Sequence, residues 1–107
     1  MRRFAFKMHL KPGCEEEYRR RHAAIWPELV KMIKDAGVRN YSIFWDRETN
    51  ILFGYQECTG ETTSQDTEGG IDPVTQKWWD RMADVMEVNA ADNSPVTEPI
   101  EEVFHLD

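Results

Sequence analysis

The chain opens on a strict alternation. Between Arg2 and Leu10, Phe4, Phe6, Met8 and Leu10 fall on one side, and Arg3, Ala5, Lys7 and His9 on the other. A period of two puts successive side chains on opposite faces of a strand. Pro12-Gly13 ends it. From Glu15 to Ala36 the period lengthens: Tyr18, His22, Ile25, Leu29, Ile33 and Ala36 recur at steps of three and four, the inward stripe of a helix. Pro27 interrupts that stripe. Its ring clashes with the preceding turn and its nitrogen has no hydrogen to donate, so a kink or a restart is expected near Trp26. Gly37 is a suitable stop.

Val38–Asp46 is rich in β-formers, with Tyr41, Ile43 and Trp45 on one face and Ser42 and Phe44 on the other. A short connection, Arg47-Glu48-Thr49-Asn50, leads to Ile51–Glu57 and predicts a hairpin. Gly54 within the return strand marks a bulge or a close approach by a neighbour. Thr59–Gly70 is polar and glycine-containing, which predicts a mobile surface loop. Asp72-Pro73 joins an N-cap to a first-turn proline. The helix Pro73–Met86 should follow, with Val74, Trp78, Met82 and Val85 on one stripe and Trp79 and Met86 beside it. Val88–Pro99 is irregular, and Ile100–Leu106 alternates as a last strand.

The order β-α-β-β-α-β is the split pattern of a ferredoxin-like α+β domain, and residues 1–107 are expected to form a single domain. Two helices cover one face of a four-stranded sheet. Because the strands carry apolar side chains on both faces, the uncovered face predicts a partner, and a homodimer through the sheet is expected. A chain of 107 residues buries a thin core, which a second subunit helps to complete.

Charge narrows the choice of ligand. The formal net charge of −7 argues against nucleic acid and against an anionic membrane surface, and favours a neutral ligand. No apolar run is long enough for a signal peptide or a bilayer span. Cys14 and Cys58 form no CxxC pair and suit a reducing cytoplasm. His9, His22 and His105 lack metal-ligand spacing, so no metal is expected.

His22 is the most informative position. It follows Tyr18 by four residues, so both lie on the inward face of one helix. It is either a core histidine bonded to a backbone carbonyl or a general acid or base, since an ordinary imidazole pKa of about 6.5 suits proton transfer near neutrality. Trp78 and Trp79 point about 100° apart on their helix. They are either core aromatics or include a platform on which the apolar face of a sugar stacks. Tyr41 either satisfies its hydroxyl within the protein or offers it to a ligand. Glu16 and Glu17 read as charges favourable to the helix dipole, and Arg19–Arg21 as a solvated face, open to pairing with acidic neighbours.

Several blocks resemble the L-rhamnose mutarotases. They are EEYRRRHAAIWPEL (Glu16–Leu29), NYSIFWD (Asn40–Asp46), KWWDRMADVM (Lys77–Met86), DNSPV (Asp92–Val96) and EEVFHL (Glu101–Leu106), in matching order across nearly the whole chain. The resemblance implies a dimeric α/β barrel that interconverts the anomers of L-rhamnose with no cofactor and no metal. It implies His22 as the proton donor and Tyr18, Tyr41, Trp78 and Trp79 as sugar-binding residues. Thr59–Gly70 departs from the family pattern in its glycine and threonine content, which leaves the rim of the pocket open. A cofactor-free monooxygenase or a haem-degrading protein is the rival expectation in the same fold, since an inward histidine beside tryptophans would serve there too.

Overall fold

The computed structural model describes residues 1–107. Its elements are β1 (Arg2–His9), α1 (Glu15–Ala23), α2 (Pro27–Asp35), β2 (Val38–Asp46), β3 (Ile51–Cys58), α3 (Pro73–Met82) and β4 (Glu98–Ile100). The strands form one antiparallel sheet in the order β2-β3-β1-β4. This is the ferredoxin-like arrangement, with the first helical segment divided in two. The division falls at Pro27. Trp26 is extended, at φ −66° and ψ 131°, the conformation that a following proline imposes. The Trp26 carbonyl accepts the N–H groups of Leu29 and Val30, so α2 starts afresh on it.

Register decides which side chains meet the helices. Met8 stands opposite Leu52, and Leu52 opposite Trp45. One row along, Phe6 stands opposite Gly54, and Gly54 opposite Ile43. Directly opposed residues share a face, so both rows lie beneath the helices. Val38 is also buried there, although it is an odd number of positions from Ile43. A regular strand would send the two to opposite faces. An irregularity between Arg39 and Ser42, with Asn40 at φ 48°, absorbs the extra residue and brings both inward with Tyr41.

Gly54 is a close approach. A Cβ there would lie 2.4–2.9 Å from three carbons of the Phe6 ring. The ring, fully buried, rests on the bare backbone of β3, and burial of a phenylalanine contributes roughly 1.5–3 kcal/mol.

Two expected boundaries move. The last helix ends at Met82 rather than Met86. Val85 and Met86 are buried, but their backbone belongs to the sheet: Lys11 N–H donates to the Val85 carbonyl, Glu87 N–H to the His9 carbonyl, and Leu10 bridges Met86. Extending β1 competes with the helix for these groups and wins. The last strand is Glu98–Ile100 rather than Ile100–Leu106. It pairs Lys7–Ala5 in an antiparallel register that would set Phe104 opposite Met1. Backbone pairing nevertheless stops at Ile100, while Phe4, Arg3 and Arg2 of β1 remain. Arg3 holds Glu102 through an ion pair instead, and residues 101–107 extend without strand pairing, exposing Val103, Phe104 and Leu106.

Asp72 caps α3 as expected, its Oδ1 accepting the Val74 N–H at 2.8 Å. No helix is long and apolar enough to cross a membrane.

Substituting Gly54→Ala should displace the Phe6 ring and lower stability by about 1–3 kcal/mol. Chemical denaturation checks this, and an unchanged midpoint would show that Phe6 yields at no cost.

Candidate active site

The helices stand off the sheet around a cavity of about 770 Å³, within the range of small-molecule sites. All five residues singled out above line it: Tyr18, His22, Tyr41, Trp78 and Trp79. Three elements bring them together. α1 supplies Tyr18 and His22, the bulged stretch of β2 supplies Tyr41, and α3 supplies the two tryptophans.

The α1 pair is held as a unit. The rings of Tyr18 and His22 stack with centroids 4.3 Å apart and planes at 27°. His22 Nδ1 donates to the Tyr18 backbone carbonyl at 3.0 Å. That bond fixes the tautomer of the neutral ring and leaves Nε2 as an acceptor with no protein partner. Burial favours the uncharged form and pulls the imidazole pKa below its ordinary value, and the bond to the Tyr18 carbonyl opposes this only in part. Both expectations for His22 therefore hold at once: one nitrogen is satisfied like that of a core histidine, while the ring still lines the cavity.

The phenols are held protonated. Burial raises the Tyr18 pKa far above the ordinary value, with a smaller contribution from Tyr41. Burial raises that of Tyr41 as well, against the hydrogen bonds of Ser64 and Gln65. Neither is a base at neutral pH. Each is a neutral hydroxyl available for hydrogen bonding.

Trp78 and Trp79 are both buried and both line the cavity. Trp78 receives the edge of His22 at 5.4 Å and 89°, and Trp26 packs against it at 5.2 Å and 83°. Tyr18, His22 and Trp78 form a continuous aromatic wall, backed by Trp26.

Two features were not legible in the residues alone. Arg21 is not part of a solvated face. Its guanidinium, whose side chain is only 12% exposed, pairs with Glu17 and Asp84 and donates to the Arg81 carbonyl at the end of α3. Its own pKa is raised by those acidic partners, Asp84 first and then Glu17. Glu17 to Arg21 is a helical i,i+4 pair of the kind expected of an acidic neighbour; Asp84, 63 residues away, could not be read from the sequence. The second feature is Thr59–Gly70, which is anchored rather than loose. Gln56 on β3 is fully buried. Its Oε1 accepts the Ser64 N–H at 2.8 Å and its Nε2 donates to Ser64 Oγ at 2.7 Å. Thr63 N–H and Oγ1 bond Asp66. The loop thereby sets Ser64 and Gln65 into the cavity wall beside Tyr41.

The DNSPV block is structural on one side and part of the wall on the other. Asn93 donates to Asp80, and Gln76 to the Asp92 carbonyl, which dock the turn on α3. Pro95 then closes part of the cavity.

The family model described as L-rhamnose mutarotase matches residues 3–106. An L-rhamnose mutarotase from Phocaeicola vulgatus is 64% identical over 107 residues, covering 100% of both chains. One from Bacteroides thetaiotaomicron is 61% identical over the same span, again 100% of both. The crystal structure of an L-rhamnose mutarotase from Formosa agariphila covers 100% of both chains with a TM-score of 0.89 at 48% identity. These relatives are mutarotases rather than monooxygenases or haem-degrading proteins, and on a match that runs from one end of the sequence to the other, the chain belongs to the L-rhamnose mutarotase family.

Proposed function

We propose that this protein interconverts the α and β anomers of L-rhamnose by opening and closing the pyranose ring, with His22 as the residue that moves the proton. The observation that carries the proposal is the unpaired Nε2 of a fixed, uncharged imidazole on the wall of an aromatic cavity.

Ring opening transfers one proton in net terms. The anomeric hydroxyl loses it, the ring oxygen gains it, and the bond from C1 to that oxygen breaks. Both oxygens are bonded to C1, so a single nitrogen can serve them in turn. Nε2 accepts the anomeric proton, and the resulting imidazolium donates it to the ring oxygen. The aldehyde turns about its C1–C2 bond, and closure on the opposite carbonyl face reverses the transfer. His22 is thus the donor to the ring oxygen in opening and the acceptor from it in closing. Tyr18, as a buried phenol, is not the base for the anomeric hydroxyl. Tyr18 and Tyr41 bind sugar hydroxyls, and Trp78 and Trp79 meet the apolar side of the ring. No cofactor or metal enters this scheme. The chain works as one domain of 107 residues in the cytoplasm.

A homodimer through the open sheet face belongs to the same proposal. The row Phe44–Phe53 and the row Tyr55–Ala5–Ile100 lie on the face away from the helices. Phe44, on the β2 edge, is 66% exposed, and the tail that exposes Val103, Phe104 and Leu106 extends from β4 at the opposite edge. A second copy would cover this surface and complete a dimeric α/β barrel.

His22→Ala should lose about 10²–10⁴-fold in anomer exchange while keeping its fold, and His22→Gln should not restore it. Saturation-transfer NMR of the anomeric protons, beside circular dichroism, reads this out; a folded His22→Ala variant at the parent rate would remove His22 from the mechanism.

The pH profile has a definite sign. The reactive form is neutral and burial lowers the imidazole pKa, so kcat/KM should be level through neutrality and fall only on acidification. The midpoint should lie below the ordinary imidazole value of about 6.5. A limb above that value would contradict the assignment.

In light scattering at micromolar concentration the protein should have twice the mass of one chain, and Phe44→Glu should shift it toward the monomer. A parent protein of single-chain mass would refute the dimer.

A further inference from the structure

We infer that Gln65 is a substrate-binding and specificity-determining residue of this site, paired with Tyr41 to receive one ring hydroxyl of the sugar. The inference deepens the mutarotase proposal and rests on it.

Three observations converge on the Gln65 amide. First, its Oε1 is the one buried side-chain polar atom without a hydrogen-bond partner. Leaving a buried acceptor unpaired is costly, and such groups in native proteins answer to a function or to a bound molecule. Second, Gln65 lines the cavity together with His22 and the tryptophans. Third, the group is not free to swing away. Gln65 Nε2 donates to Ser64 Oγ at 3.1 Å and makes a long 3.4 Å contact with the Tyr41 hydroxyl oxygen. Ser64 is itself clamped by the buried Gln56, and Gln65 N–H donates to Thr63 Oγ1. Turning the amide over would leave Nε2 in place of Oε1, so one end is unpaired in either orientation.

The pairing with Tyr41 gives the ligand chemistry. Tyr41 takes Gln65 Nε2 on its oxygen, which leaves its O–H to donate. Gln65 Oε1 beside it accepts. A neighbouring donor and acceptor match a hydroxyl, which is itself one donor and one acceptor. A carboxylate or a phosphate would meet the acceptor unfavourably, and an apolar group would leave both unpaired. The occupant is therefore a neutral hydroxyl of a pyranose bound with its reactive carbon at His22. Because the site pairs with that hydroxyl, a sugar lacking it is discriminated against far more strongly than one differing by a methyl group.

Gln56 and Ser64 are positioning residues in this scheme. They touch no substrate but fix the loop that carries the amide.

The test compares the parent with Gln65→Met, which keeps the length of the side chain, and with Gln65→Ala. The substrates are L-rhamnose and its 2-, 3- and 4-deoxy analogues, with anomer exchange measured by saturation-transfer NMR. Both variants should lose about 10-fold or more in kcat/KM on L-rhamnose. The parent should lose a comparable factor on one deoxy sugar, and on that sugar neither substitution should cost anything further. The acidic limb of His22 should not move. Variants within twofold of the parent on L-rhamnose would overturn the inference, as would an equal loss on every sugar, which marks a purely structural role. Should Gln65→Ala fail to fold, Gln65→Met decides alone. A parent that exchanges no L-rhamnose anomers would bring down the mutarotase proposal together with this inference, whereas an active parent with indifferent variants removes Gln65 only.

Discussion

Arg21 holds the reactive geometry together. The helix that carries His22 is short, and Tyr18 is its only fully buried side chain. A nine-residue helix of that kind is marginal alone in water. Arg21 supplies what burial does not. Its guanidinium pairs with Glu17 on its own helix and reaches across to Asp84 and the Arg81 carbonyl. One residue before His22, α1 is thereby tied to the C-terminal end of α3, at Arg81, three residues beyond Trp78, and to Asp84 just past it. The planar fork matters here, because one guanidinium meets two carboxylates and a carbonyl at fixed angles, which a lysine ammonium could not do. The contact between His22 and Trp78 follows from that tie.

The cavity then sets the protonation states. It is mostly apolar, and it holds one imidazole and two phenols. Burial acts on all three in the direction of the uncharged form: the phenols go up and the imidazole goes down. The resting site carries no charge on these groups, which suits a neutral sugar and a net-neutral reaction. Under the role proposed for His22, a proton that leaves the anomeric oxygen creates an ion pair inside the cavity, and the shortest way to discharge it is onto the ring oxygen attached to the same carbon. Low polarity keeps the transfer local.

How much of this lay in the sequence depends on the range of the interaction responsible. The period-two and period-four patterns are local, and they placed β1, β2, β3 and the broken helix to within a residue or two. The proline break was readable because Pro27 acts on its immediate neighbours. Met82 as a helix end was not, because the hydrogen bonds that take over residues 83–87 come from the far end of β1. Among site residues, the Tyr18–His22 pair followed from helical spacing. The approach of Tyr41 depended on an irregularity at Asn40, and that of Gln65 on a glutamine buried in another strand. Neither leaves a periodic trace. Those loop residues read as polar and mobile because their partners are distant in the chain.

One consequence of the architecture concerns the balance between a site and a core. A sheet covered on one face by helices would normally fill that interface with apolar side chains. Here part of the interface is given over to a cavity of about 770 Å³, and a buried glutamine sits where the sheet could hold a leucine. The packing that remains is concentrated in the Phe6–Gly54 contact, the Met8–Leu52 row and the base of α3. The face turned away from the helices is the only other large apolar surface the strands provide, through Phe44, Phe53 and Ile100. A chain this short cannot enlarge both the pocket and the core from its own residues. In the proposed homodimer, apolar positions on the open face are the counterpart of the cavity: what the helix side gives up to the pocket, contact with a second copy makes good.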